Sequence, residues 1–192
     1  MRLLVTLFVS LALSLPAFAL ELTDQNVQKW MQSYSAIMDW SKTQDKKELE
    51  FLEKEQAANT PEFDALFTNA MKGMKNHKIY GEFTGVLKKN GYSNPDEWAQ
   101  LGDRIMAATL AVEMEKHEAN SGQTRAQMKQ AMDAIMNNPN MTPEQKAQMQ
   151  QMMGMGNQMM DVASNVPAKD KEVIKRNASI IKQVMDKNAE QN

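Results

Sequence analysis

The chain has 192 residues, with 22 Lys and Arg against 24 Asp and Glu, a net charge of −2 and no cysteine. The lack of cysteine excludes disulfides, thiolate metal sites and lipid attachment to an N-terminal cysteine. Charges of both signs are interspersed, without a basic block or an acidic tail. The charge pattern therefore favours no particular partner and predicts no binding to nucleic acid.

The segment 1–19 has the three parts of a secretory signal peptide. Arg2 is a positive n-region, Leu3 to Leu15 form an apolar h-region, and Ala17-Phe18-Ala19 is a small-x-small cleavage pattern. The apolar run, about 13 residues, is shorter than the ~20 that span a bilayer. We therefore expect cleavage after Ala19 and no stable membrane anchor. The mature chain, 20–192, is expected to form a single helical domain in a Gram-negative periplasm, with secretion from the cell as the alternative.

Capping residues and apolar stripes divide the mature chain into predicted helices. Thr23 or Asp24 caps the first helix, whose apolar residues recur at spacings of three and four and so share one face. A second helix is predicted to start where Thr60 precedes Pro61 and to pause near His77 to Gly81. The two apolar faces consist of Val27, Trp30, Met31, Tyr34, Ile37 and Met38, and of Phe63, Leu66, Phe67, Ala70, Met71 and Met74.

The middle of the chain carries further helix boundaries. Asn90-Gly91 is a typical C-terminal stop, and Asn94-Pro95 opens the next helix, which we expect to end near Asn120-Ser121-Gly122. A methionine-striped helix then stops at Asn137-Asn138-Pro139.

Thr142-Pro143-Glu144-Gln145 begins another helix, with Gln145 placed for a capping box. Asn165-Val166-Pro167 separates it from a last helix. The apolar residues of that last helix are Val173, Ile174, Ile180, Ile181, Val184 and Met185. No segment has the sustained alternation typical of a strand. The sequence therefore predicts an all-α protein, an antiparallel helical bundle of six or seven helices.

The chemistry of an enzyme is not evident in the sequence. His77 and His117 follow Met74 and Met114 at the spacing where a di-iron bundle has glutamate. Gly154-Met155-Gly156 lacks the strand and helix context of a nucleotide fingerprint. We therefore predict no catalytic residue, no cofactor and a protein that is not an enzyme.

The segment 128–160 is unusually rich in methionine. Three interpretations remain open: a core in which Met replaces Leu, a plastic surface for a protein partner or an apolar client, and a Cu(I) or Ag(I) site. Oxidation to sulfoxide is compatible with all three. The predicted binding surface consists of Met128, Met132, Met136, Met149, Met152, Met153, Met155, Met159 and Met160. The alternative metal ligands are Met152, Met155 and Met159. The sequence leaves the oligomeric state open.

A pattern between Gly91 and Met106 resembles one in uncharacterised secreted helical proteins of proteobacteria. It comprises Gly91-Tyr92, Glu97-Trp98-Ala99 and Gly102-Asp103-Arg104. The Met- and Gln-rich segment and the Val-Pro start of the last helix fit the same layout, which implies no known activity. We expect Trp98 to anchor the core and Gly102 to permit close helix contact. Asp103 and Arg104 are expected to form a structural ion pair, with a binding role for that pair as the alternative.

A second resemblance concerns Met141-Thr142-Pro143-Glu144-Gln145. This segment is similar to the Leu-Thr-x-x-Gln motif of Spy-like periplasmic chaperones, with Met in place of Leu and one copy where that family has two. The same residues form a helix N-cap. The resemblance implies a chaperone-like role in envelope stress.

Overall fold

The computed structural model describes residues 21–45, 49–50, 63–121, 127, 130, 134 and 142–189. Over these residues the structure is helical and contains no strand, which confirms the all-α prediction. The signal segment, the Thr60-Pro61 start, and Met128, Met132 and Met136 lie outside the described residues. The helices are α1 (Asp24–Ser41), α2 (Leu66–Met74), α3 (Tyr80–Lys89), α4 (Pro95–Ser121), α5 (Pro143–Ser164), α6 (Ala168–Arg176) and α7 (Ala178–Ala189).

Several helix ends lie where the capping residues predict them. The Thr23 hydroxyl accepts a hydrogen bond from the Asn26 backbone N–H at 3.2 Å and caps α1. The Asn94 side chain accepts from the backbone N–H of Asp96 at 3.1 Å, just inside α4. Gly91 follows α3 with a φ of 84°, a conformation that glycine adopts without a steric penalty. These three helix boundaries depend on residues within one turn of the helix end, and the structure confirms all three.

The start of α2 differs from the prediction. Residues 63–65 form a turn and a bend, and the described helix begins at Leu66. Ala65 offers no capping side chain. The cap comes from α4, where the Asp103 carboxylate accepts from the backbone N–H of Phe67 at 2.6 Å and of Thr68 at 3.2 Å. A residue distant in sequence thus determines where this helix begins.

The predicted last helix is divided in two at Asn177. The Asn177 side chain is buried, and its amide donates to Asp24 Oδ1 at 2.6 Å and to the Val173 carbonyl at 2.8 Å. Its Oδ1 accepts from Gln28 at 3.2 Å. An asparagine that bonds to its own preceding turn competes with regular helix geometry, which explains the break. The hydrogen bonds of Asn177 with Asp24 and Gln28 also attach this end of α6 to α1.

The centre of the core is an aromatic cluster contributed by α1, α2, α3 and α4. Trp30 stacks on Trp98 and on Tyr34, with ring centroids 5.2 and 5.0 Å apart. Phe67 meets Trp30 edge-on at 5.1 Å, and Phe83 meets Trp98 edge-on at 5.8 Å. Trp98 is buried, which confirms its predicted role as a core anchor.

The buried polar groups of Trp30, Trp98 and Ser33 are paired with one another. The Trp30 indole N–H donates to the Trp98 carbonyl at 2.9 Å, and the Trp98 indole N–H donates to Ser33 Oγ at 2.8 Å. The Ser33 hydroxyl in turn donates to the Trp30 carbonyl at 2.7 Å. Buried indole and hydroxyl groups cost free energy unless they are paired, so this closed set of bonds fixes how α1 packs on α4.

The predicted ion pair of Asp103 with Arg104 is wrong, because the structure directs the two side chains to different helices. Asp103 caps α2, whereas Arg104 donates to Asp170 of α6 from Nε at 2.6 Å and from Nη2 at 3.0 Å. Neighbours on a helix point about 100° apart, so they reach different partners. Asp170 is fully buried. Removing the guanidinium from such a pair costs about 3–5 kcal/mol.

Candidate interaction surface

Helix α5 carries the described part of the methionine-rich segment and begins with a capping box. The Thr142 hydroxyl accepts from the Gln145 backbone N–H at 3.3 Å, and the Gln145 side chain accepts from the Thr142 backbone N–H at 2.9 Å. Pro143 occupies the first turn. The helix start and the capping box thus lie where the sequence predicts them.

The side chains of α5 are poorly buried. Ala163 is the one buried residue of this 22-residue helix, whereas the 18 residues of α1 include five buried ones. Met152 is 59% exposed, and the other methionines of α5 are half-buried. We call this set the α5 methionine surface. It consists of Met149, Met152, Met153, Met155, Met159 and Met160.

The α5 methionine surface comprises two adjacent stripes. Met149, Met153 and Met160 lie along one stripe at spacings of four and seven residues. A second stripe, Met152, Met155 and Met159, has spacings of three and four. At 3.6 residues per turn the two stripes are separated by roughly 100° around the helix axis. Thioethers therefore cover a broad sector of α5 rather than one narrow seam.

The helix itself is uncharged along this surface, and there is open space beside it. No ionisable residue occurs between Lys146 and Asp161, and the polar positions there are glutamine and asparagine. A Cβ added at Gly154 or Gly156 would meet no atom within 4 Å, so space is available beside the helix on both sides of Met155. The thioethers are therefore bordered along the helix by uncharged side chains and glycines.

A cavity of about 350 Å³ adjoins the C-terminal half of α5. It is open to solvent, and its mixed lining includes two exposed carboxylates, Asp64 and Asp161. Phe63 and Val162 contribute apolar side chains to the lining. The lining as a whole consists of Phe63, Asp64, Ala65, Gln158, Asp161 and Val162.

The described residues bring six of the nine predicted surface methionines together on one helix. The two histidines lie elsewhere: His117 is exposed on α4, and His77 lies in the turn between α2 and α3. Among the described residues no three His, Asp or Glu side chains are grouped closely enough to hold a metal ion. Within the same part of the chain, no helix has the length and apolarity to cross a membrane.

The sequence analysis predicted neither the burial of Asp103 and Asp170 nor the groups that these two carboxylates bind. Burial raises the pKa of Asp103, although its hydrogen bonds from Thr68 and Phe67 oppose that effect. Both carboxylates hold helices together, and neither lines the α5 methionine surface. Their partners lie 35 residues or more away along the chain, so no local signal identifies them.

Comparison of the chain with protein-family models, with curated proteins and with solved structures yields no match. The protein is therefore characterised by its fold and its surface: it is an all-α protein with a methionine-rich helix that has no charged residue over 147–160.

Proposed function

We propose that this chain is a periplasmic interaction protein of chaperone-like, stress-related character that binds apolar segments of protein partners or unfolded clients. The observation that carries the proposal is the α5 methionine surface itself. Six thioethers lie on a helix that contributes one buried residue to the fold and has no charge over 147–160. No catalytic step and no cofactor enter the proposal. Export through cleavage after Ala19 and an antiparallel bundle arrangement are part of it.

Methionine suits this function physically. Its side chain is unbranched and polarisable, so a methionine surface repacks against apolar groups of different shapes. Burial of one such side chain contributes about 1.5–3 kcal/mol, and several together give useful affinity without a fixed partner geometry. The resemblance of Met141 to Gln145 to the motif of Spy-like chaperones supports the same role.

The test is suppression of aggregation of a reduced, unfolded α-lactalbumin client by the purified mature protein. Substituting Met152→Gln, Met155→Gln and Met159→Gln together keeps side-chain length and helix propensity but removes apolar area. We expect the concentration needed for half-suppression to rise by about tenfold or more. A matched control substitutes exposed amides of the same helix, Gln150→Ala, Gln151→Ala and Asn157→Ala, and should act like the unmodified chain. Equal activity of both variants contradicts the proposal.

A second candidate function is binding of Cu(I) or Ag(I), which prefer soft thioether ligands. It is favoured by the placement of Met152, Met155 and Met159 on one accessible stripe at spacings of three and four residues. Titration with Cu(I) under reducing conditions distinguishes the two functions. Tight stoichiometric binding that Met→Leu substitution at these three positions abolishes supports the metal site. Weak binding that is insensitive to the substitution rejects it.

A further inference from the structure

The methionines in the described part of the chain differ in their access to solvent. Met31, Met71 and Met74 are 0%, 2% and 7% exposed and belong to the core. Met152 is 59% exposed, and the remaining methionines of the α5 methionine surface are half-buried. Oxidation of methionine depends on access of the oxidant to the sulfur. The fold therefore separates methionines that an oxidant can reach from methionines that it cannot.

The chain also has no competing thiol, since it contains no cysteine. A peroxide such as hydrogen peroxide then reacts at the exposed thioethers. The sulfur lone pair attacks one peroxide oxygen, and the S–O bond forms as the O–O bond breaks. The departing hydroxide takes the proton of the S–OH group and becomes water, which leaves the sulfoxide. Sulfur loses two electrons, and the peroxide gains them. The product is methionine sulfoxide, which is polar and chiral where the thioether was apolar.

We propose that the α5 methionine surface is a reversible oxidation site, modified first at Met152, and that its conversion to sulfoxide switches off binding while the fold persists. The switching part rests on the proposed function. The surface has no charge to maintain affinity once its apolar character is lost, because no ionisable residue occurs between Lys146 and Asp161. Oxidation therefore removes the property that binds.

Persistence of the fold follows from the packing of α5. Ala163 is its one buried residue, and the aromatic core is built by α1, α2, α3 and α4. A sulfoxide at Met152 meets water, whereas a sulfoxide at Met31 would bury a polar S=O group in the core. Without a cysteine the chain cannot supply the reducing electrons itself. Reversal requires an external methionine sulfoxide reductase supplied with a dithiol.

The first test maps oxidation residue by residue. The mature protein is exposed to graded hydrogen peroxide, quenched, digested and analysed by peptide mass spectrometry. We expect Met152 to oxidise at least about fivefold faster than Met31, Met71 or Met74. Circular dichroism and the thermal unfolding midpoint, recorded on the same samples, should stay near those of the untreated protein. Equal rates for Met152 and Met31, or unfolding that accompanies oxidation at α5, would overturn the modification site.

The second test follows α-lactalbumin aggregation before oxidation, after it, and after treatment with both stereospecific sulfoxide reductases and dithiothreitol. Suppression should fall by about tenfold or more on oxidation and return on repair. A variant with Met152→Leu, Met155→Leu and Met159→Leu should lose much less of its own untreated activity. Met38→Leu with Met185→Leu, on α1 and α7, is the matched control and should respond to peroxide like the unmodified chain.

The outcomes separate this inference from the proposed function. Undiminished suppression by a protein carrying α5 sulfoxides overturns the switch but leaves the function intact. Failure of the untreated protein to suppress aggregation defeats both the proposed function and the switch. In that case the oxidation map still decides whether α5 is the modification site.

Discussion

At the scale of single residues, Gly102 shows how tightly the aromatic cluster meets α4. A Cβ at this position would lie 2.6 Å from Cζ2 of Trp30 and 2.9 Å from Cδ2 of Phe67. Both neighbours are rigid rings held on several sides, so they cannot move away cheaply. The expectation that Gly102 permits close helix contact is thereby confirmed.

Gly102→Ala is predicted to destabilise the protein by about 1–3 kcal/mol, because the added methyl group overpacks the core. The measurement is urea unfolding followed by tryptophan fluorescence. Gly85→Ala is the matched control, since Gly85 lies inside α3 and a Cβ added there would meet no atom within 4 Å. That change should stabilise by about 0.5–1 kcal/mol through helix propensity. Similar losses in both variants would contradict the packing argument.

Asp103 gives a prediction about pH. Burial raises its pKa above the ordinary value of 3.8, so the folded state holds this proton more tightly than the unfolded chain does. Its contribution to stability is therefore fully present below the unfolded pKa and is lost as the pH rises through the folded pKa. Asp24, a half-exposed aspartate on α1, behaves oppositely, because the side-chain hydrogen bond from Arg176 lowers its pKa.

A comparison with Asp103→Asn isolates the effect. We subtract the free energy of unfolding of the variant from that of the unmodified protein. This difference should decrease as the pH rises from about 3 to about 7, a range that begins just below the ordinary aspartate pKa. Urea unfolding of both proteins across that range measures the difference. A difference that increases with pH would mean that the bonds from Thr68 and Phe67 outweigh burial.

At the scale of the helices, α1 and α5 begin with the same capping chemistry but differ in their burial. Thr23 caps a helix that holds Trp30 in the core, whereas Thr142 caps a helix with one buried residue. Loss of either cap costs about 1 kcal/mol locally. A helix that unfolds only with the core shows this loss in the global free energy of unfolding. A helix that can open separately shows it in local hydrogen exchange.

Thr23→Ala is predicted to lower the global free energy of unfolding by about 1 kcal/mol. Thr142→Ala should leave global unfolding nearly unchanged and should instead accelerate hydrogen exchange at the amides of the first turns of α5, by about fivefold. Urea unfolding and amide-resolved exchange on both variants provide the comparison. An equal global loss from both substitutions would show that α5 is an integral part of the cooperative core.

At the scale of the whole molecule, α4 connects the structure, because it contacts α1, α2, α5 and α6. Two side chains of α4 bind to other helices through a buried carboxylate. Asp103 accepts hydrogen bonds from the start of α2, and Arg104 donates to Asp170 of α6. Exposed pairs such as Arg176 with Asp24 and Lys187 with Asp39 add further links to α1. Exposed pairs of this kind contribute little individually.

The export prediction also belongs to this scale. Expression of the full chain in a Gram-negative host should place a protein that begins at Leu20 in the periplasmic fraction, because Ala17-Phe18-Ala19 presents small residues at the cleavage positions. N-terminal sequencing and fractionation provide the measurement. Ala19→Arg should block cleavage and leave the longer chain with the membrane. Retention of residues 1–19 in the unmodified protein would contradict the signal-peptide interpretation.

The sequence by itself determined the helical character of this protein and those boundaries that depend on local chemistry. Thr23, Asn94-Pro95 and the Thr142–Gln145 capping box act within one turn of their own helices, so spacing suffices to find them. The six methionines of α5 share a surface for the same reason. Tertiary structure alone decided the start of α2 and the partners of Asp103, Arg104 and Asn177 across the fold. Each of these depends on a hydrogen bond between residues far apart in the chain, and periodicity carries no information about such contacts.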